Sequence, residues 1–256
     1  MDQQRITASH RAFPVRSGSD RSAPPRPPLV VVYDSLQACP YLDGRIARMP
    51  LEYPRHPLSP SDLDELLALG YRRSGRMLYR TQCPQCSECV PTRVDVREFQ
   101  ITRSMQRVLN RGERELEFEW AVPTVDSDRV RLFNQHRQQR SLTSSGPVGP
   151  ADYHEFLVDT CAETRELVMR HDGEVVAVAV ADFGQRSINA VYTHFDPAFA
   201  RYSLGTLAVL KQIELARQSD RQFVYLGLYV AANSHLNYKQ RFRPQQRLLS
   251  GQWRTV

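Results

Sequence analysis

Three runs of apolar and β-branched residues follow one another in the second half of the chain, each bounded by turn residues. They cover residues 166–170, 175–183 and 188–194. The dipeptides Asp172-Gly173 and Gly184-Gln185 lie between them and favour hairpin turns. This pattern predicts three consecutive antiparallel strands.

Apolar residues recur at helical spacing on either side of these strands. The predicted helices cover residues 126–140, 151–164 and 203–218, and further strands are predicted at 116–121 and 223–226. A final short helix and strand close the chain. The order β-α-α-β-β-β-α-β-α-β is that of an acyltransferase fold of the GNAT type. We therefore predict an α+β fold with a GNAT-like catalytic domain at residues 116–256.

The first half of the chain predicts a smaller segment that packs against this domain. A helix is expected from Ser61, as its N-cap, to Gly70, as its end. Two short strands around a Ser-Gly turn are expected within residues 71–80, and another strand at 92–96. This segment covers residues 29–115.

Residues 101–114 predict a helix with two different faces. Its apolar stripe consists of Ile101, Met105, Val108 and Leu109. The opposite side carries Arg103, Arg107, Arg111 and Arg114. Because guanidinium groups bind phosphates well, this stripe predicts contact with nucleic acid. The alternative is an ordinary solvated face.

Charge supports a polyanionic partner, since the 256-residue chain has a formal net charge of +6. Nearly all of the positive charge is arginine, because Lys211 and Lys239 are the only lysines. GC-rich coding also explains such an excess of arginine. The charge alone therefore does not identify the partner.

The first 28 residues are rich in Arg, Ser and Pro and contain no apolar run. This composition predicts a disordered tail and not a secretory signal. No later apolar run approaches the roughly 20 residues needed to span a bilayer. We therefore expect a cytoplasmic protein without membrane association, in which thiols stay reduced.

The sequence CPQCSECVPTR places Cys83, Cys86 and Cys89 within seven residues. A reduced compartment argues against disulfides, and this spacing suits a structural zinc or iron–sulfur site with Cys39 or His56 as fourth ligand. Two alternatives are reduced thiols in a packed loop and a catalytic nucleophile.

The turn that enters the helix at 203–218 holds the candidate catalytic residues. Free backbone amides at Ser203 and Gly205 could bind an anion or an oxyanion. Tyr192 and His194 lie on the strand before this turn and face the same side, and His194 is a candidate for proton transfer. The alternatives are a plain helix cap for Ser203 and a structural role for His194.

Four motifs extend across both halves of the chain. They are CPYLDGRIARMPL (39–51), LYRTQCPQCSECVPTRV (78–94), RYSLGTLAVLKQIELA (201–216), and FVYLGLYV followed by LNYKQRFRP (223–230 and 236–244). Together they resemble the aminoacyl-tRNA–protein transferases of the N-degron pathway. The short chain and the Cys-Pro-Tyr-Leu opening resemble the bacterial aspartate/glutamate leucyltransferase branch.

This resemblance implies transfer of leucine from Leu-tRNA to proteins with N-terminal Asp or Glu, which marks them for degradation. The ester is already activated, so the site has to align an amine and stabilise an oxyanion, and no cofactor is required for the chemistry. The arginine stripe would then bind tRNA. The candidates for binding the acidic terminus or the tRNA end are Arg201, Tyr225, Tyr238, Lys239, Arg241 and Arg243.

Three other functions remain open at this stage. An arginyl-tRNA donor would fit the same fold, since no identified residue excludes a guanidinium from the pocket. A CoA-dependent N-acyltransferase is disfavoured because the turn at 201–206 has a single glycine where such enzymes present several. The third alternative is a metal-containing RNA-binding protein without catalysis. The oligomeric state cannot be inferred.

Overall fold

The computed structural model describes residues 27–140 and 146–256. Most of the predicted disordered tail, residues 1–26, lies outside the described residues. Within the described ranges, no helix is long and apolar enough to cross a membrane.

Fourteen strands and six α-helices are found in the described residues. The strands are β1 (Leu29–Tyr33), β2 (Leu36–Ala38), β3 (Ile46–Arg48), β4 (Leu51–Pro54), β5 (Arg72–Ser74), β6 (Met77–Tyr79), β7 (Val90–Asp95), β8 (Glu117–Ala121), β9 (Thr164–His171), β10 (Glu174–Phe183), β11 (Ser187–Phe195), β12 (Phe223–Tyr229), β13 (Gln246–Leu249) and β14 (Gln252–Thr255). The helices are α1 (Pro60–Ala68), α2 (Arg103–Glu115), α3 (Ser127–Gln139), α4 (Pro150–Tyr153), α5 (Leu204–Gln218) and α6 (Ser234–Asn237).

The main sheet has eight strands in the order β14-β13-β7-β12-β11-β10-β9-β8. Neighbours from β8 to β11 are antiparallel, whereas β11 and β12 are parallel and α5 connects them. This order confirms the predicted α+β fold of the GNAT type. β7 belongs to the predicted N-terminal segment but lies inside this sheet, and the division of the chain at residue 116 stays a prediction.

Helices cover both faces of the sheet because side chains alternate along β10. Ala177 and Ala179 pack toward α5, where their small side chains let the helix approach closely. Val178 and Val180 pack on the other face, with Leu132 and other residues of α3. β10 is therefore buried on both faces, which explains its nearly continuous apolar sequence.

Helix α2 has the predicted apolar side, and this side packs on α5. Met105 is buried, and Gly112 lies so close to α5 that a Cβ there would be 2.7 Å from a methyl group of Leu207. Ile101 does not belong to this stripe, because the helix begins two residues later and Ile101 is exposed.

Two predicted helices begin or end differently in the structure. The N-cap of α1 is Ser59 and not Ser61, because the Ser59 side chain accepts a bond from the Asp62 amide and the Asp62 carboxylate bonds back to the Ser59 amide. The helix predicted at 151–164 ends at Val158 after a π-helical turn. Cys161 therefore lies in the loop after this turn, where it is buried.

A second sheet, in the order β1-β4-β6-β5, packs beside the main one. A buried ion pair joins the two sheets: Arg73 Nε on β5 lies 2.9 Å from Asp182 Oδ2 on β10, and both side chains are fully buried. The Asp182 carboxylate also accepts bonds from Thr164 and Asn189. This network fixes the β5–β6 hairpin at the edge of the cleft described next.

Candidate active site

The parallel strands β11 and β12 separate along their length and open a cleft. They pair only at Ser187–Asn189 with Phe223–Tyr225, although β11 continues to Phe195 and β12 to Tyr229. The cleft between the separated ends has a volume of about 1290 Å³. This is more than one small ligand requires, so two substrates can be held side by side.

One wall of the cleft is the N-terminus of α5. Ser203 has a left-handed backbone (φ 50°), a strained conformation for a residue other than glycine. Its side chain makes no capping bond, so the interpretation of Ser203 as a plain side-chain cap is not supported. Ser203, Gly205 and Thr206 line the cleft. The predicted free amide at Ser203 is not found, because it donates to the Ala200 carbonyl, and the Thr206 amide donates to the Ser203 carbonyl. Of these three, Gly205 is the residue whose first-turn amide can bind an anion.

A β-bulge in β11 provides a second set of backbone groups. Val180 pairs with Tyr192 and Ala181 with Ala190, so Val191 has no partner residue on β10. On the other side of β11, the pairing with β12 has already ended at Asn189. A bulged residue leaves the hydrogen-bond ladder, and Val191 lines the cleft.

The guanidinium of Arg72 lies between the separating strands. One terminal nitrogen donates to Asn189 Oδ1 at 2.7 Å and the other to the Ala190 carbonyl at 3.0 Å. Gly227 on β12 faces it with φ +89°, and a Cβ there would lie 2.8 Å from the guanidinium. Burial lowers the pKa of Arg72 below its ordinary value. Arg72 thus carries a half-buried positive charge that faces the cleft.

Lys239 is a second buried cation in the cleft. It is 7% exposed, and its Nζ donates to the Leu228 carbonyl at 2.5 Å. Burial, together with the charge of Arg72, lowers the pKa of Lys239 to about 7. Among the described residues that line the cleft, Asp43 is the one carboxylate, and it is exposed. The cleft therefore favours anions.

His194 and Tyr192 do contact the same ring, Phe133, as the expectation of a shared side requires. Tyr192 lines the cleft, whereas His194 is fully buried behind it, 3.4 Å from the Tyr153 hydroxyl. Burial lowers the pKa of His194 to about 3, so its ring is neutral at pH 7. This placement favours a structural role for His194.

The six residues predicted to bind substrates divide into two groups. Tyr238, Lys239 and Arg241 line the cleft. Three others lie outside it: Arg201 on the surface beside α2, Tyr225 in the core bonded to Arg93, and exposed Arg243 bonded to the Gln240 carbonyl.

The arginines of α2 form an exposed surface, as predicted. Arg103, Arg107, Arg111 and Arg114 are all exposed. Arg111 donates to the Arg201 carbonyl at 2.7 Å, just before the N-terminus of α5. Within the described ranges, no ion pair involves Arg103 or Arg107. The positive surface therefore leads from α2 toward the cleft.

The four thiols predicted as metal ligands lie near one another but do not form a metal site as they stand. Burial, then the proximity of Cys39, Cys83 and Cys86, raises the pKa of Cys89 to about 12. No three His, Cys, Asp or Glu side chains of the described residues form a group that could hold a metal ion. The metal stays a prediction of the sequence, which elemental analysis of the purified protein tests, with Cys86→Ser as the comparison.

Sequence reasoning missed part of the site. Nothing in the sequence distinguishes Arg72 from an ordinary arginine of a surface hairpin. Tyr41 and Tyr79, which are joined by a hydrogen bond beside it, belong to no motif that predicts a role in the site. His136 on α3 also lines the cleft and is held neutral, since burial and Arg140 lower its pKa to about 4. Only the alternation of β5 could have shown that Arg72 and Arg73 face opposite sides.

Two family models match the chain. Residues 37–107 match the N terminus and residues 128–249 the C terminus of the arginine-tRNA-protein transferase. An aspartate/glutamate leucyltransferase of Acinetobacter baylyi is 35% identical over 221 residues, which cover 85% of this chain and 81% of that protein. The aspartate/glutamate leucyltransferase of Shewanella sp. (strain MR-4) is 32% identical over 230 residues, 88% of this chain and 94% of that one.

Solved structures give a more distant comparison. The crystal structure of FemX superposes with a TM-score of 0.47 at 8% identity, over 82% of this chain and 84% of that one. A likeness at this level carries no information about substrates or chemistry.

Proposed function

Because the chain belongs to the arginine-tRNA-protein transferase family, we propose that it transfers leucine from Leu-tRNA to the α-amino group of proteins with N-terminal Asp or Glu. The observation that carries this proposal is the similarity to aspartate/glutamate leucyltransferases over 85% of the chain. The anion-favouring cleft supports it, since the tRNA phosphates and the acidic side chain of the acceptor are negatively charged. Such a reaction takes place in the cytoplasm, where charged tRNA is available, and marks its products for degradation.

The positive surface from α2 to the cleft suits the acceptor arm of the tRNA. Arg107 and Arg111 would contact its phosphates, and Arg111 already reaches the backbone beside the α5 N-terminus. The Ser203 amide already donates to the Ala200 carbonyl. The amide of Gly205, in the first turn of α5, would then bind the last phosphate of the tRNA, in the way that helix N-termini bind phosphates. The aminoacyl ester would lie in the cleft beyond them.

The chemistry requires little beyond alignment of the two substrates. A free α-amine has a pKa near 7.7–8.0, so roughly a tenth of it is neutral and nucleophilic at pH 7. Its nitrogen attacks the ester carbonyl, and the Val191 amide at the bulge would donate to the developing oxyanion. The new C–N bond forms as the C–O bond to the ribose breaks. The amine loses its proton, and the ribose oxygen gains one.

One assay tests the proposal and its alternatives. Labelled Leu-, Phe- and Arg-tRNA are each offered with peptides that differ only in an N-terminal Asp, Glu, Lys or Ala. We expect leucine to reach only the Asp and Glu peptides, and RNase treatment of the donor to abolish transfer. Transfer from Arg-tRNA alone, tRNA-independent transfer from acetyl-CoA, or tRNA binding without transfer to any peptide would each refute the proposal.

A further inference from the structure

The cleft contains more buried positive charge than its surroundings neutralise. Arg72 and Arg73 are both near Asp182, but Arg73 binds that carboxylate directly. Arg72 reaches it only through Asn189, which donates to Asp182 at 3.0 Å and accepts from Arg72. Lys239 has a backbone carbonyl as its partner. Among the described residues, Arg72 and Lys239 therefore have no carboxylate bonded directly to them.

Such an arrangement is costly unless a ligand supplies the missing negative charge. An ion that is withdrawn from water without a counterion loses part of its hydration free energy. Arg72 lies in this unfavourable position where β11 and β12 separate. Each terminal nitrogen donates one bond to a neutral oxygen, and a guanidinium has five N–H groups. N–H groups of the fork thus stay available to a ligand in the cleft.

We propose that Arg72 binds the side-chain carboxylate of the N-terminal Asp or Glu of the acceptor protein, with Lys239 supplying a second positive charge. This inference rests on the function proposed above and assigns the acidic specificity to a residue of the N-terminal segment.

The position of Arg72 relative to the reacting atoms supports a carboxylate from the acceptor. Its guanidinium binds the Ala190 carbonyl, and the next residue is Val191, whose amide would meet the ester carbonyl. An amine attacking that carbonyl would therefore have its own side chain close to Arg72. The phosphates of the tRNA would lie at the α5 N-terminus, near Ser203. The carboxylate and the phosphates thus occupy different subsites of one cleft.

Gly227 and two tyrosines shape this subsite. Any side chain at Gly227 would collide with the guanidinium, since a Cβ would be 2.8 Å from it. The hydrogen-bonded pair of Tyr41 and Tyr79 lies close enough to interact electrostatically with Arg72, and both rings line the cleft. A planar fork flanked by hydroxyl groups matches a carboxylate in geometry as well as in charge.

The test compares Glu- and Gln-initiated peptides, which differ in charge but hardly in shape. In the wild type, we expect kcat/KM for leucyl transfer to favour the Glu peptide by roughly 100-fold, the range for a desolvated bidentate ion pair. Arg72→Met should reduce this ratio to about 1 and leave the KM for Leu-tRNA unchanged. Arg76→Met is the matched control, because Arg76 lies on the same hairpin but outside the cleft. It should keep the wild-type ratio.

A second variant and a second measurement cover failure to fold and failure of the proposed reaction. Arg72→Lys keeps the charge without the fork, so the ratio should fall about tenfold if the fork is used. Equilibrium binding of fluorescent Glu and Gln peptides should show the same preferences without any donor. If the wild type transfers no leucine but still binds the Glu peptide more tightly than the Gln peptide, only the proposed leucyl transfer is refuted. An unchanged Glu:Gln preference in both Arg72 variants, or a raised KM for Leu-tRNA in its place, would overturn the assignment.

Discussion

Replacing Lys239 by methionine measures what it costs to bury an ammonium group in the cleft. Lys239 is 7% exposed, and burial followed by the charge of Arg72 lowers its pKa from 10.5 to about 7. Between these two pH values, the unfolded chain holds a proton that the folded chain has released. The stability of the wild type therefore rises with pH across this range.

The size of the effect follows from the pKa shift. Each pH unit in this range corresponds to about 1.36 kcal/mol, so the wild type gains about 3 kcal/mol between pH 7 and about pH 9.5 from this residue. Methionine does not titrate and gains nothing. Losing the hydrogen bond to Leu228 costs about 1–3 kcal/mol at either pH, so it cancels when the two conditions are compared. Lys239→Met should therefore lose about 3 kcal/mol relative to the wild type on going from about pH 6 to about pH 9.5.

Urea unfolding followed by tryptophan fluorescence measures this difference, with Lys211→Met as the control. Burial lowers the pKa of Lys211, but its bonds to Glu214 and Glu113 outweigh burial and raise it. The stability that Lys211 contributes is therefore lost only above pH 10.5, and its variant should show no change over the same interval. The reasoning fails if Lys239→Met shows no pH-dependent difference, or if both variants shift alike.

Three further predictions concern other parts of the site. Arg107→Glu combined with Arg111→Glu should raise the KM for the tRNA donor at least tenfold and leave the acceptor KM unchanged. The slope of log KM against log salt concentration should fall by about two, one for each phosphate contact that is lost. Unchanged steady-state kinetics would mean that this surface is only solvated. Arg73→Met should lower the free energy of unfolding in urea by roughly 3–5 kcal/mol, because it leaves a buried carboxylate without its counterion; a loss below 1 kcal/mol contradicts this. Gly227→Ala should displace Arg72 and reduce the Glu:Gln preference, and an unchanged preference in the folded variant would mean that the contact does not hold the guanidinium.

The order of elements could be read from the sequence because it depends on local patterns. The apolar runs of β10 and β11, the hairpin dipeptides and the helical period of α2 each extend over fewer than twenty residues. The turn into α5 was found for the same reason, since a strand, a serine and a helix follow one another there. Exposed arginines on α2 followed directly from the burial of the opposite face.

The separation of β11 and β12 could not be predicted in this way. It depends on where a parallel pair, joined through α5, stops pairing, and no local pattern marks Asn189 as the last paired residue. The same limit applies to His194. Alternation along β11 correctly placed His194 and Tyr192 on the same side of the strand. Packing against Tyr153, however, places His194 behind the cleft and not inside it. Alternation along a strand predicts which face of the sheet a side chain is on, but not which elements pack against that face.

Neighbouring arginines on β5 explain why the N-terminal segment takes part in specificity. Arg73 points into the protein and fixes the hairpin to Asp182 of the main sheet, whereas Arg72 points the other way, into the opening between β11 and β12. The ion pair of Arg73 is buried and rigid, so it holds the backbone of Arg72 in place before any substrate arrives. A guanidinium held in this way loses little conformational entropy when a carboxylate binds, and this preorganisation strengthens the distinction between Glu and Gln.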